Sequence, residues 1–155
     1  MFKHLLPGLF LTVVFVIGLF FNPPVGLALT FPITPCDFLN EVSDYHLSDL
    51  AVDGSIFVLT NGTVAKFTLG APQPFSVPNL QNDISGAVKI HTDKSQNYIY
   101  LVDPKNSRIL MLNKQGGLER QLVSDKFSEL TDIWVDEGNK TIYALAGNEV
   151  GKFGY

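Results

Sequence analysis

The sequence predicts an all-β fold of about three antiparallel sheets behind an N-terminal apolar segment. A seven-residue pattern with apolar positions and a closing aspartate occurs three times, at residues 47–53, 87–93 and 130–136. The closing aspartates are 40 and 43 residues apart. A repeat of about 40 to 45 residues made of short strands is typical of β-propeller blades. The sequence therefore predicts about three four-stranded blades, which make a partial β-propeller.

The first 28 residues have the pattern of an export signal. Lys3 precedes an apolar stretch from Leu9 to Phe21, and Gly26-Leu27-Ala28 resembles a signal-peptide cleavage site. A retained membrane anchor is the alternative, because residues 5–28 approach the roughly 20 apolar residues of a spanning helix. Both alternatives leave the rest of the chain outside the cytoplasm, since the basic residue lies on the N-terminal side of the apolar stretch.

The sequence thus divides into three parts. Residues 1–28 are expected to form a signal peptide or an N-terminal membrane anchor, and residues 29–46 a linker with a possible extra strand. Residues 47–155 are expected to form the partial propeller, with blades at about 47–78, 87–124 and 130–155. We therefore expect an exported protein that is membrane-anchored or secreted.

Strand signals recur in the same order in each blade. Short apolar runs alternate with connectors rich in Asp, Asn, Gly and Pro, which favour turns. In the first blade, Asp53-Gly54 and Asn61-Gly62 are signals for type I′ hairpins. The predicted strands are 47–52, 55–59 and 64–68 with a possible short outer strand in 70–78, then 87–92, 98–102, 108–112 and 119–123, then 130–135, 141–145 and 149–153.

The second blade carries a recognisable motif. The segment from Asp103 to Ile109, Asp-Pro-Lys-Asn-Ser-Arg-Ile, resembles the D-x-x-N-x-R-I core of NHL-type propeller repeats. The arginine position reads Thr63 in the first blade and Glu149 or a neighbour in the third. Residues 118–136 also resemble the C-terminal propeller portion of uncharacterised bacterial membrane-linked proteins. Those proteins are longer, which implies a shortened relative or a fragment, and no activity follows from the resemblance.

The polar residues of the pattern are expected to have structural roles first. Aspartate and asparagine in turns bond their own backbone or accept left-handed φ, which assigns Asp103 to its turn and Asn106 to a left-handed position. Arg108 offers a planar fork to a carboxylate on a neighbouring blade, for which the closing aspartates are natural acceptors. A ligand contact is the alternative. The predicted structural set is Asp53, Asp93, Asp103, Asn106, Arg108 and Asp136.

The sequence predicts neither catalytic residues nor a bound cofactor. His46 and His91 are the only histidines beyond the apolar segment, Cys36 is the only cysteine, and no G-x-S-x-G motif occurs. His91 is expected to be a packing residue. Calcium on the central axis, as in lactonase-like propellers, is an alternative that requires oxygen ligands from several blades. The net charge of −4 argues against binding of nucleic acid or anionic membrane surfaces.

These observations favour a non-catalytic extracytoplasmic module for protein interaction or scaffolding. Three blades would leave apolar faces open, and such faces mark interaction sites. We expect a protein partner or a second copy, in which Phe38 to Val42 would supply the strand missing after Phe153. The alternatives are a calcium-dependent hydrolase of the lactonase or gluconolactonase type, and a gene fragment without independent function.

Overall fold

A computed structural model of the chain describes residues 47–78 and 80–155. They form three antiparallel sheets in which consecutive strands are neighbours. We call these sheets blades 1, 2 and 3, and they confirm the predicted all-β class. Blade 1 contains β1 (Leu47–Val52), β2 (Ile56–Thr60), β3 (Thr63–Thr68) and β4 (Ala71–Gln73); blade 2 contains β5 (Lys89–His91), β6 (Tyr98–Asp103), β7 (Arg108–Asn113) and β8 (Leu118–Val123); blade 3 contains β9 (Leu130–Asp136), β10 (Thr141–Ala146) and β11 (Glu149–Gly154).

Blade 2 lies between the other two blades and buries both of its faces. In β6, Ile99 and Leu101 belong to the apolar cluster shared with blade 1, whereas Tyr100 and Val102 belong to the cluster shared with blade 3. This division follows from the alternation of side chains across a strand. Because both faces are covered, β6 and β7 read as continuous apolar runs rather than as alternating ones.

The second strands of the three blades align at an interval of 43 residues. Ile56-Phe57-Val58-Leu59, Ile99-Tyr100-Leu101-Val102 and Ile142-Tyr143-Ala144-Leu145 share one pattern of an isoleucine, an aromatic residue and two aliphatic residues. Each segment lies in the same place in its blade, paired with the first strand on one side and the third strand on the other. Corresponding residues of different blades can therefore be compared directly.

The hairpin turns differ from the prediction. A type I′ turn needs positive φ at both central residues, and Leu69 (φ 51°) with Gly70 (φ 79°) meets this requirement between β3 and β4. At Asn61-Gly62 and Asp53-Gly54 only the glycines have positive φ. The assignment of type I′ turns to those two pairs was therefore wrong, although a hairpin forms at both.

The third blade has three strands, and none of residues 130–155 forms a fourth strand beside β11. The expected signal or anchor at 1–28, the linker at 29–46 and the extra strand at 38–42 lie outside the described residues. Within the described part of the chain, no helix has the length and apolar character needed to cross a membrane.

Candidate interaction surface and the polar residues that position it

Asp53, Asp93 and Asp136 close their own turns at corresponding places in the three blades. Each carboxylate accepts a hydrogen bond from a backbone N–H two or three residues further on, which is the usual behaviour of aspartate in turns. The hydroxyl of Ser95 also donates to Asp93 and, with the turn amides, holds the pKa of that carboxyl below its usual value. The backbone donors are Ser55 (3.0 Å), Ser95 (2.7 Å) and Asn139 (2.9 Å).

Asp53 additionally links blade 1 to blade 2. The ammonium of Lys114 lies 2.7 Å from the Asp53 Oδ2 atom and also donates to the hydroxyl of Thr92. Burial raises the pKa of Asp53, but the bonds from Lys114 and from the Ser55 amide outweigh it, so the pKa is lowered overall. Asp53 is therefore an ionised contact between two blades.

Asp103 and Arg108 form a fully buried ion pair inside blade 2. Arg108 Nε donates to Asp103 Oδ2 over 2.7 Å, and Asn106 Nδ2 donates to the same oxygen over 2.8 Å. The guanidinium also donates to the carbonyl groups of Asn82 (3.0 Å) and Asp83 (2.7 Å) in the connector from blade 1. Arg108 thus fastens the connector to the edge of blade 2.

This arrangement differs from the prediction in two respects. The expected partner of Arg108 was a carboxylate on a neighbouring blade, whereas Asp103 faces it directly in the β6–β7 register. The left-handed position of the turn is taken by Ser107 (φ 49°) and not by Asn106. Asn106 instead uses its side-chain amide to hold the carboxylate.

A row of charges joins the first strands of the three blades. Lys89 Nζ lies 3.5 Å from Asp49 Oδ2 in blade 1 and 3.4 Å from Asp132 Oδ1 in blade 3. Asp49 also accepts the backbone N–H of Ile90 over 2.9 Å. Burial lowers the pKa of Lys89, but the two carboxylates outweigh this and raise it. All three residues hold the third position of the seven-residue pattern, a signal that the sequence contained and that we missed.

Glu137 is a second contact that sequence reasoning missed. Its carboxylate, in the β9–β10 turn of blade 3, accepts the backbone N–H groups of Asn97 (2.8 Å) and Tyr98 (3.0 Å) in blade 2. It also accepts the hydroxyl of Tyr100 (3.1 Å), which lies 2.7 Å from the hydroxyl of Tyr155. Burial, the Tyr155 hydroxyl and the Glu137 charge all raise the pKa of Tyr100. Tyr100 is therefore a neutral donor.

His91 lies partly buried between blades 2 and 3. Its Nε2 atom is 3.0 Å from the amide nitrogen of Gln96, which donates to the carbonyl of Val135 over 3.0 Å. Burial lowers the pKa of His91 and outweighs the neighbouring carboxylates, which raise it. A neutral imidazole that accepts from Gln96 fits this geometry.

No metal centre is formed by the residues that the structure describes: across 47–78 and 80–155, no group of three or more His, Cys, Asp or Glu could hold an ion. Asp49 and Asp132 have the Lys89 ammonium between them. The expectation of no bound cofactor stays a prediction, and calcium stays its alternative.

The face of blade 3 that points away from blade 2 is apolar and exposed. Tyr143 is 36% exposed and Leu145 is 40% exposed, and the exposed Trp134 packs beside Tyr143 with 5.7 Å between ring centroids. The Lys152 ammonium lies over the Tyr143 ring, 5.6 Å from its centroid. We call this surface the free face of blade 3; it comprises Trp134, Tyr143, Leu145, Val150 and Lys152.

Blade 1 has exposed apolar side chains on the side that points away from blade 2. Leu50 is 60% exposed and Val52 is 50% exposed, and both lie on β1. The residue that corresponds to Leu50 is buried in both other blades, as Ile90 and as Ile133. Val58 on the neighbouring strand is buried, so we restrict the name exposed β1 positions to Leu50 and Val52.

Neither a protein-family model nor a curated protein matches the sequence. Solved structures do: a chain of the nidogen/laminin complex matches with a TM-score of 0.54 and 16% identity, over 70% of this chain and 44% of that one. A putative 6-phosphogluconolactonase from Bacteroides uniformis matches with a TM-score of 0.49 and 17% identity, over 70% of this chain and 36% of that one. Both neighbours are β-propeller proteins.

The fold is a partial β-propeller. This chain spans less than half of the length of each of those two neighbours. The resemblance to NHL-type repeats in particular stays a prediction.

The outer strands of the partial propeller border an open groove. It has a volume of about 1140 Å³ and lies between β8, the 3₁₀ turn Asp125–Glu129 and β11. Phe127 and Phe153 line it and pack against each other with 5.0 Å between ring centroids. Among residues 47–78 and 80–155, β11 pairs only with β10, and a strand edge of this kind can accept a further strand.

Proposed function

We propose that the chain is an exported, non-catalytic propeller module that binds protein through the free face of blade 3. One observation carries this proposal. Tyr143 and Leu145 hold positions that are fully buried in blades 1 and 2, as Phe57 and Leu59 and as Tyr100 and Val102, yet in blade 3 they are exposed.

The composition of this face suits a protein partner. Tryptophan and tyrosine are enriched among the residues that dominate binding energy at interfaces, and the Trp134 and Tyr143 rings pack beside each other on this face at an interplanar angle of 48°. Burial of one large aliphatic or aromatic side chain contributes about 1.5–3 kcal/mol. Lys152 adds a charged group at the side of the apolar centre, as is usual at the rim of an interface.

The polar motif residues support a scaffolding role for the rest of the domain. The Asp103–Arg108 pair holds the connector between blades 1 and 2, and Asp53 contacts Lys114 across the same boundary. Glu137 holds blade 3 against blade 2. These contacts fix the orientation of the three sheets and so present the free face on a rigid support.

Photo-crosslinking tests the proposed binding surface. A photoreactive benzophenone amino acid replaces Tyr143 in the full chain, expressed in the cells that make the protein. We expect one covalent adduct of defined mass. The control places the same amino acid at Leu69, which is fully exposed in the β3–β4 turn. Adducts at neither position, or equally at both, would contradict the proposal.

Export is tested separately by labelling. Leu69→Cys is introduced together with Cys36→Ser, so that residue 69 carries the only thiol. We expect a membrane-impermeant maleimide to label this variant on intact cells as completely as after lysis. Labelling only after lysis would place the propeller in the cytoplasm and contradict the export part of the proposal.

A further inference from the structure

We infer that the partner on the free face of blade 3 is a second copy of this chain, which contributes the exposed β1 positions of its blade 1. The inference rests on the proposed function and narrows it to one partner. It follows from the contact between blades 1 and 2, which shows what this kind of face packs against.

The free face of blade 3 repeats the covered face of blade 1. Four residues of the two faces correspond at one interval, since the blades are two repeats apart, and each occupies the same place in the strand register. Three of the four blade 1 residues are buried beneath blade 2. The pairs are Phe57 with Tyr143, Leu59 with Leu145, Val64 with Val150, and Lys66 with Lys152.

The correspondence extends to geometry. Lys66 lies over the Phe57 ring at 5.3 Å, and Lys152 lies over the Tyr143 ring at 5.6 Å. In the covered case, Lys66 also donates to the carbonyl of Lys114 in a turn of the next blade over 3.2 Å. Blade 3 therefore presents one half of an inter-blade contact with its cation already in place.

The other half of such a contact is the back of a blade, and blade 1 has one with exposed apolar groups. Leu50 corresponds to Ile90, which packs on blade 1, and to Ile133, which packs on blade 2. Val52 corresponds likewise to Val135, which is buried. One chain therefore carries exposed positions from both halves of the same contact, Leu50 and Val52 on blade 1 and the free face on blade 3.

Two copies can form two such contacts at once. Blade 3 of each copy packs on blade 1 of the other, which continues the contact already formed twice within the chain. The result has six blades, within the range of about four to eight that propellers use. Each contact is heterologous, because it joins two different surfaces.

The charge row gives this assembly a salt dependence. In neighbouring first strands, the charged side-chain atoms at the third position of the seven-residue pattern lie within 3.5 Å of each other, as Asp49, Lys89 and Asp132 show. The new contact would place Asp132 beside Asp49 of the second copy with no lysine between them. Like charges repel, and salt screens the repulsion. Association should therefore strengthen as the salt concentration rises.

Sedimentation velocity of the full chain in density-matched detergent tests the inference. The wild-type chain should sediment as a dimer, more completely at 500 mM than at 50 mM sodium chloride. Leu145→Glu and Leu50→Glu each change an exposed residue, so both variants should fold, as circular dichroism would verify. Each alone should lower the dimer affinity at least tenfold. Leu69→Glu, an equivalent change at an exposed site on neither face, should leave the dimer unchanged.

An equal mixture of Leu145→Glu and Leu50→Glu gives the decisive result. One of the two contacts in a mixed dimer joins two unaltered surfaces, so mixing should restore dimers that neither variant forms alone. A monomeric wild type, or a mixture that stays monomeric while both variants are folded, would overturn the inference. If position 143 then formed an adduct with a different protein, the proposed binding function would stand and only self-association would be overturned.

Discussion

Blades 2 and 3 have the same strand pattern but opposite surroundings. Tyr100 and Val102 of blade 2 are fully buried, whereas Tyr143 and Leu145, 43 residues further on, are 36% and 40% exposed. The difference arises from the neighbour and not from the strand, because blade 2 is covered on both faces and blade 3 on one. A strand that has the apolar pattern of a buried strand but exposed side chains therefore identifies a surface on which no further blade packs among the described residues.

The largest expected difference between the two blades concerns the buried ion pair. Arg108→Ala would leave the Asp103 carboxylate buried without its partner, which costs about 3–5 kcal/mol of unfolding free energy. Glu149 holds the corresponding position in blade 3 and is exposed, so Glu149→Ala should change stability by at most about 0.5 kcal/mol. Urea unfolding of both variants measures the difference. Equal costs would show that the pair does not stabilise blade 2.

The next comparison uses one substitution at corresponding places on a covered and a free face. Leu59→Ala removes a fully buried side chain and should cost about 2–5 kcal/mol. Leu145→Ala should cost less than about 1 kcal/mol in the monomer, because half-exposed surface gains little from burial. Urea unfolding at two protein concentrations sharpens the test. If a second copy covers Leu145, the cost of its removal must rise with protein concentration.

A glycine in the covered contact between blades 1 and 2 should be more sensitive than a glycine in an open turn. Gly116 has φ +94°, and an added Cβ would lie 2.1 Å from the carbonyl oxygen of Ser76. Gly54 has φ +114° with nothing within 4 Å of an added Cβ. Both alanine variants incur the backbone strain of positive φ, about 1–3 kcal/mol. Only Gly116→Ala adds the clash, so its melting temperature should be the lower of the two.

The smallest expected effect is a pH dependence at the covered face of blade 2. Burial lowers the pKa of His91 in the folded state, so the unfolded chain binds its proton at higher pH. Stability should therefore be lost as the pH falls below about 6.5, the unfolded value. Since the ring is partly exposed, we expect a loss of about 0.5 kcal/mol or less. The charged groups around it are Asp49, Lys89, Asp93 and Asp132.

Unfolding measured at pH 7.5 and pH 5.5 isolates this contribution when the wild type is compared with His91→Gln. The variant should lose less stability than the wild type over this interval, because it lacks the titrating group. An identical loss in both would assign the pH dependence to other residues.

The strands were predictable because turn residues and apolar runs are local features. The predicted strand 98–102 differs by one residue from β6 (Tyr98–Asp103), and the short outer strand in 70–78 is β4 (Ala71–Gln73). The aspartates at 53, 93 and 136 also bond within their own turns. For these aspartates the hydrogen-bond donor is within three residues along the chain.

The contacts between blades were not predictable in the same way. Glu137 reaches the amides of Asn97 and Tyr98, about 40 residues away, and nothing in a single sequence indicates that distance. Arg108 was assigned to another blade because its cross-strand partner depends on register. The turn at Leu69-Gly70 was missed because a leucine with positive φ contradicts its own preference.

The exposed positions of blades 1 and 3 also bear on how far the proposed assembly proceeds. A heterologous contact closes into a ring only if the rotation between successive copies brings the last surface back to the first. If the rotation misses closure, the same contact adds copies without limit and makes a helical fibre. The outer edge of β11 would lie along such a fibre, repeated once per copy. In the proposed assembly, the angle between blades therefore decides between a closed particle and a polymer.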